Sequence, residues 1–359
     1  MPAATLSHRE RVRLALDHQT TDRIPIALVC SGINAPARRA WEEFLARERG
    51  LTISQVLDPL LDIKMILPPY IGPPPAPGFD YWGVHRCPVS YGADVYHEID
   101  YYPLGTAETV ADVAAHAWPR PEYFDYAALP ALVKQLQAEG EYCLMLANAN
   151  IFECSWYMRG FERMFMDLVL APELAHAIME RVTCFFEAYI HRALSAVPGA
   201  IDLVFTADDI GGQGGLLMSL AMWEEHLKPY QARVHRAVHE HGAKAIYHSD
   251  GAVTEAVPGL IDMGIDVLQA LQFDAANMDP LDLKTRFGDR LCFQGGVSVQ
   301  QTLPFGTPDD VATEVRARID VLGRDGGYIL GPSHAIQAGT PPENISALFD
   351  TAASYYPYR

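Results

Sequence analysis

Two hydrophobic periods alternate along this chain, and their alternation predicts its architecture. From residue 128 onward, segments with apolar residues at helical spacing give way repeatedly to short β-branched or aromatic runs. The pattern predicts helix 128–139 before strand 142–147, helix 161–197 before strand 201–207, and helix 219–241 before strand 244–248. It continues with helix 253–263 before strand 266–271, helix 280–287 before strand 290–295, and helix 308–322 before strand 327–330. Helix 342–354 closes the chain. Nearer the start, 8–18 carries helical spacing at Val12, Leu14, Ala15 and Leu16, 23–29 reads as a first strand, and 41–49 as a helix. Residues 57–67 hold a second short strand or helix around Asp62. Six strands after residue 128 and two before it make eight. Strand–helix alternation implies a parallel sheet, and eight units imply a closed (β/α)8 barrel.

Residues 68–126 break the rhythm. Prolines crowd its start (Pro68, Pro69, Pro73, Pro74, Pro75, Pro77), and aromatics run through it, among them Tyr70, Phe79, Tyr81, Trp82 and Tyr96. Aromatics at this density do not suit a disordered tether. The segment reads as a long excursion from the barrel, with hairpins, and such excursions on the carboxyl side cover active sites. The expectation is one domain over residues 1–359, its barrel beginning near residue 20.

Composition narrows the function. Hydrophobic residues at 49% and charged residues at 20% allow a large buried core. A formal net charge of -18 argues against nucleic acid and anionic membrane surfaces as partners. The six cysteines are scattered with no CxxC pair, so they read as reduced thiols of a cytoplasmic protein. No signal-peptide core and no run of 18 apolar residues is evident.

Chemistry concentrates where the strands end. Strand 142–147 leads to Asn148, Asn150 and Glu153, and strand 201–207 to Asp208 and Asp209. Strand 244–248 ends in His248, followed by Ser249, Asp250 and Gly251. Gln269 and Gln272, Gln294, and finally Ser333 and His334 continue the series. In a barrel all of these open onto one face. His248 and Asp250 are two apart, so an extended backbone sends both side chains to the same side, where a metal or substrate could meet them. A helix-capping role for Ser249 or Asp250 is the plainer alternative. Gly211-Gly-Gln-Gly-Gly215 lacks the order and acidic partner of a nucleotide fingerprint and reads as a tight loop letting backbone approach a ligand.

The order of these pieces resembles the uroporphyrinogen decarboxylase superfamily over roughly the whole chain. The carrying motifs are Arg9, Val12, Ala15 and Leu16 with Arg23-Ile-Pro25, then Phe152-Glu-Cys-Ser-Trp-Tyr-Met-Arg-Gly160 and Asp208-Asp-Ile-Gly211. Tyr230 after Lys228-Pro229, His248-Ser-Asp-Gly251, Gln294-Gly-Gly296, Gly331-Pro-Ser-His334 and Thr340-Pro-Pro-Glu-Asn344 complete them. The superfamily contains the decarboxylase and zinc-dependent methyltransferases that use corrinoids. The decarboxylase pattern places Arg-Gln-Ala-Gly-Arg-Tyr after the first strand, and here that place reads Val29-Cys-Ser-Gly-Ile-Asn34. The arginine clamp for substrate carboxylates is missing. Asp62 and Tyr157 do fall where that enzyme's pyrrole-binding residues would lie, and His334 falls near its C-terminal histidine.

The methyltransferase pattern has His-x-Cys and a later Cys. Here these positions hold His248-x-Asp250 and Ser333-His334. The resemblance thus implies Zn²⁺ held by His248, Asp250 and His334, with a fourth place open. Harder ligands leave more positive charge on the metal and favour polarising an ether or alcohol oxygen. The implied activity is a demethylase-type methyltransferase acting on a small methylated molecule. Cobalamin would be presented by a partner corrinoid protein, since no DxHxxG motif is found. A homodimer is the expected assembly. The alternatives are decarboxylation of a carboxylated substrate and a non-catalytic ligand-binding barrel in which His248 and Asp250 only form hydrogen bonds. Expected catalytic groups are Glu153, Asp209 and Tyr157. Expected substrate contacts are Asp62, Asn148, Asp208, Gln269, Gln294 and Ser333. Glu153 has three readings: a fourth metal ligand, a general acid, or an ion pair with Arg159 or Arg163.

Overall fold

The computed structural model describes residues 6–29, 32–91 and 94–357. Its strands in chain order are β1 (Ile63–Ile66), β2 (His85–Tyr91), β3 (Asp94–Tyr101), β4 (Cys143–Ala149) and β5 (Leu203–Ala207). The short pair β6 (Gly211–Gly212) and β7 (Gly215–Leu216) follows, then β8 (Lys244–His248), β9 (Val267–Gln269), β10 (Cys292–Val297) and β11 (Tyr328–Pro332). Seven of them form one parallel sheet in the order β1-β4-β5-β8-β9-β10-β11. Ile26 closes the gap between its edges, bridging in parallel to Leu61 on one side and Leu330 on the other. The Ala27 N–H donates to the Leu330 carbonyl at 2.9 Å, and the Asp62 N–H to the Ile26 carbonyl at 2.8 Å. The expected first strand over 23–29 thus contributes a single ladder residue. Pro25 has no N–H to give, which shortens the pairing.

Two apolar layers hold the wall. Inside the cylinder, Val29, Met145, Phe205, Ile246, Val267 and Ile329 pack together. Outside it, a larger cluster fills the space between strands and helices. Strands covered on both faces read as near-continuous apolar runs, which is why β5 and β8 were legible. The helix His8–Leu16 sends Val12 and Leu16 into the inner layer and so floors the barrel.

Asp62 belongs to that floor, which corrects its expected place beside a substrate. Its carboxylate accepts from Arg11 at 2.6 Å, from Arg23 at 2.7 Å and from the Ile26 N–H at 2.8 Å, and meets His8 Nδ1 at 2.8 Å. It precedes β1, at the amino end of the strands, so it lies across the barrel from the mouth.

Two long expected helices are broken. In place of 161–197 stand Phe161–Leu170 and Pro172–Ala196. Proline disfavours helical geometry in the residue before it, and Ala171 leaves the helix with φ -147°. Before them, Ile151–Arg159 forms a separate helix, ended by Gly160 at φ 95°. In place of 219–241 stand Leu220–His226 and Lys228–His239, the second carrying Pro229 in its first turn.

The excursion contains the antiparallel hairpin β2–β3 and the short helix Val110–Ala115. Its aromatics dock on Pro172–Ala196. Trp82 meets Phe185 edge-on at 4.9 Å, and Phe124 meets Tyr189 at 5.2 Å. The Tyr96 hydroxyl donates to Gln337 Oε1 at 2.8 Å and pins the hairpin to the loop after β11. Among the described residues, no helix is long and apolar enough to cross a membrane.

Candidate metal centre and substrate cavity

Two mouth loops lie back to back, and glycine makes this possible. A Cβ on Gly251, which sits at φ 80°, would stand 2.5 Å from the Gly211 carbonyl carbon. The Ala252 N–H donates to the Gly212 carbonyl at 2.8 Å, and the Ile210 N–H to Ser249 Oγ at 3.0 Å. The glycine run was expected to let backbone approach a ligand. It instead lets one loop approach another, with the effect of aligning Asp208-Asp209 and His248-Ser-Asp250.

At the centre, His248, Asp250 and His334 bring one donor atom each to within 4.8 Å of one another. His334 Nε2 stands 3.9 Å from Asp250 Oδ2. His248 Nδ1 is engaged by Gln269 Oε1, so Nδ1–H donates and Nε2 carries the lone pair toward the centre. Gln269 in turn donates from Nε2 to the Ser333 carbonyl at 3.3 Å. Asp209 Oδ1 accepts the Asp250 N–H at 2.7 Å and stands 3.6 Å from His248 Nε2. Zinc with nitrogen and oxygen ligands sits about 2.0–2.2 Å from each, which places neighbouring donors about 3.4 Å apart. The donors now stand farther apart, and Asp250 and His334, both one-third exposed, are the ones that would close the spacing. The donor set and the carboxamide behind His248 therefore fit a zinc centre, with Asp209 as a further oxygen. Burial raises the Asp250 carboxyl pKa, and the charges of His248 and His334 oppose that rise.

The centre opens into a cavity of about 410 Å³. Asn150, Glu153, Tyr157, Asp209, His248 and His334 supply its polar lining, and Met145 and Phe205 are among its apolar walls. Among the described residues, no lysine or arginine lines it. Glu153 lies in the first turn of Ile151–Arg159, where Asn150 Nδ2 donates to it at 2.5 Å. Arg159 is committed elsewhere, to Asp167 at 2.6 Å and to the Leu104 and Ala107 carbonyls, which removes it as one of the two expected ion-pair partners of Glu153, Arg163 being the other. Burial, then the nearby Glu153 charge, pushes the Tyr157 hydroxyl well above its ordinary pKa, so it stays protonated.

The expected substrate contacts divide. Ser333 borders a second, smaller cavity with Asp250 and His334. Asp208 does not face the substrate cavity: its oxygens accept from the Glu153 N–H at 2.8 Å and Gln231 Nε2 at 2.7 Å. Burial first, then Glu153, raises its pKa to about 8. Asp208 thus locks the Glu153 helix to the barrel. Gln269 likewise holds His248 and leaves the cavity wall to others. Gln294 is buried in β10 with its amide toward the Ala27 carbonyl at 3.4 Å, inside the barrel wall. The side chain of Asn148 lies outside the described residues. Gln231 was missed by sequence reasoning, because a glutamine on a helix carries no signal of its contacts.

Comparison with known proteins agrees on the family. Residues 87–355 match the uroporphyrinogen decarboxylase (URO-D) family. A uroporphyrinogen decarboxylase of Anaeromyxobacter sp. is 28% identical over 201 residues, covering 55% of this chain and 53% of that protein. One from Aromatoleum aromaticum is 27% identical over 189 residues, covering 50% and 48%. The chain spans about half the length of these curated relatives. A methyltransferase from Methanosarcina mazei shares the fold, with a TM-score of 0.70 at 16% identity over 97% of this chain and 98% of that one. A barrel whose strand ends converge on one polar mouth, with the family's motifs in order along it, places this chain in the uroporphyrinogen decarboxylase family.

Proposed function

We propose that this protein is a zinc-dependent methyltransferase of the demethylase type, moving a methyl group from the oxygen of a small molecule to a corrinoid on a partner protein. The observation that carries the reading is the convergence of His248, Asp250 and His334 within 4.8 Å, with the His248 ring oriented by Gln269. Among the described residues the inner cavity is lined by Glu153 and Asp209 with no lysine or arginine, and Arg86 of the adjoining space is paired with Asp80, which disfavours a polycarboxylate porphyrinogen. Bound zinc would supply Lewis-acid polarisation of the substrate oxygen. A corrinoid on the partner would supply the methyl acceptor and the electron pair for its new bond, so the substrate oxygen would leave with the C–O bonding pair. That oxygen then needs one proton. Tyr157 and Glu153 flank the position where that proton is needed, and Tyr157 enters protonated. Asp209 stands 3.6 Å from His248 and holds the Asp250 loop in place through the Asp250 N–H.

The test is metal binding followed by turnover. Chelator-stripped protein titrated with Zn²⁺ should take up one equivalent, and His248→Ala and His334→Ala should each abolish it. Loaded protein should then methylate reduced cobalamin from a methoxylated compound. Carbon dioxide release from uroporphyrinogen would establish decarboxylation in its place. Folded protein that takes up no zinc would return the barrel to ligand binding alone.

A further inference from the structure

A further cavity, of about 450 Å³, adjoins the one lined by Glu153 and His248, between the barrel mouth and the excursion. Leu67, Ala147, Asn150 and Tyr157 line both, so the two form one bent space with these residues at the bend. The outer chamber is unlike the inner one. Tyr81, Trp82, Phe124, Phe185, Phe186 and Tyr189 wall it. Their rings meet largely edge to face, as in Trp82–Phe185 at 4.9 Å and Phe124–Tyr189 at 5.2 Å. A surface of that kind offers both ring faces and ring edges to a guest. Among the described residues its charged lining is one pair, Arg86 and Asp80 at 2.7 Å, with the Arg86 guanidinium also 5.0 Å over the Tyr157 ring. The carboxylate is thereby compensated, which leaves no counter-ion for a cationic guest. The guanidinium is compensated too, which leaves none for an anion.

We infer that this chamber is the binding site for an aryl group, and that the protein acts on aryl ethers: the ring sits among the aromatic walls and its oxygen substituent passes Asn150 and Tyr157 to reach His248 and His334. The catalytic half of this inference rests on the methyl-transfer reading, whereas ring binding does not. The volume suits one ring with small substituents, because ligand pockets of this class run from about 300 to 1,000 Å³. Aromatic guests gain from face and edge contacts that a saturated ring of the same size lacks.

The experiment uses the full chain stripped of metal by chelation, with anisole as probe and calorimetry as readout. Anisole should bind at one site, at least tenfold tighter than methoxycyclohexane or tetramethylammonium. Cys154→Phe places a ring inside the chamber from the helix Ile151–Arg159 and should weaken anisole at least tenfold. Leu67→Trp narrows the bend from a half-exposed position, where folding is least at risk, and should do the same. Zinc uptake in both variants should stay at the wild-type level. Unchanged anisole affinity in folded Leu67→Trp and Cys154→Phe overturns the chamber, as does equal binding of methoxycyclohexane. Tighter binding of tetramethylammonium overturns the aryl assignment. Anisole binding that persists in a protein taking up no zinc would retract methyl transfer and leave the chamber standing; zinc uptake without anisole binding would do the reverse.

Discussion

Glu153 gathers constraints from both sides. Its backbone N–H donates to Asp208 at 2.8 Å, and its carboxylate takes the Asn150 amide at 2.5 Å while facing the cavity. Glu153→Gln keeps the shape and removes the charge. Turnover should fall by about 100-fold or more while the melting temperature holds, since general acid–base groups contribute about 100- to 10,000-fold. Turnover at the wild-type level, read beside a thermal melt, would remove the residue from the chemistry. The three candidate donors were legible as polar strand ends: His248 and Asp250 stand where a strand stops, and His334 stands where another does. Gln269 was legible as polar but not as the partner of His248, because a hydrogen bond across 21 residues has no sequence period.

At the scale of elements, helix Lys228–His239 is tied to β5 through a buried imidazole. His235 Nε2 meets Thr206 Oγ1 at 3.0 Å, and His235 is 1% exposed. Burial depresses its pKa to about 4 from an ordinary 6.5. The depressed value means the unfolded chain binds the proton first. The neutral ring's contribution is therefore complete above pH 6.5 and is lost as the pH falls toward 4. The loss amounts to about 3 kcal/mol. Denaturant unfolding of wild type and His235→Gln at pH 7 and pH 4 checks this: wild type should lose about 3 kcal/mol more than the variant over that range. Parallel losses would show that His235 is not the group responsible. Helix periods predicted this segment well, but a single continuous helix over 219–241 was too simple. Proline inside an otherwise periodic run marks a break that periodicity averages over.

Across the whole molecule, the two ends of the barrel do different work. The floor holds Asp62 between Arg11 and Arg23, fully buried, and the mouth holds the donors. Asp62→Asn takes the carboxylate from Arg23 and leaves the buried Arg11 with Asp22 alone. It should cost about 3–5 kcal/mol of stability, as removal of one partner from a buried pair does. The zinc stoichiometry of the protein that remains folded should not change. Loss of zinc uptake in folded Asp62→Asn would place the residue nearer the centre than the floor.

By itself the sequence determined the alternation of strand and helix, the barrel it implies, and the polar strand ends that meet at its mouth. Each of these is a local property, written in side-chain period or in the residue that follows a strand. Only the tertiary structure decided which polar groups face the cavity, which ones brace them, and which lie at the floor. Asp62 and Asp250 are both carboxylates beside barrel strands, and one residue's place before β1 and the other's place after β8 separate a structural ion pair from a candidate ligand. The aromatic chamber is of the same kind. Its rings come from the excursion and from Pro172–Ala196, about 60 to 110 residues apart, and no pattern within either segment could have shown that they would enclose one space.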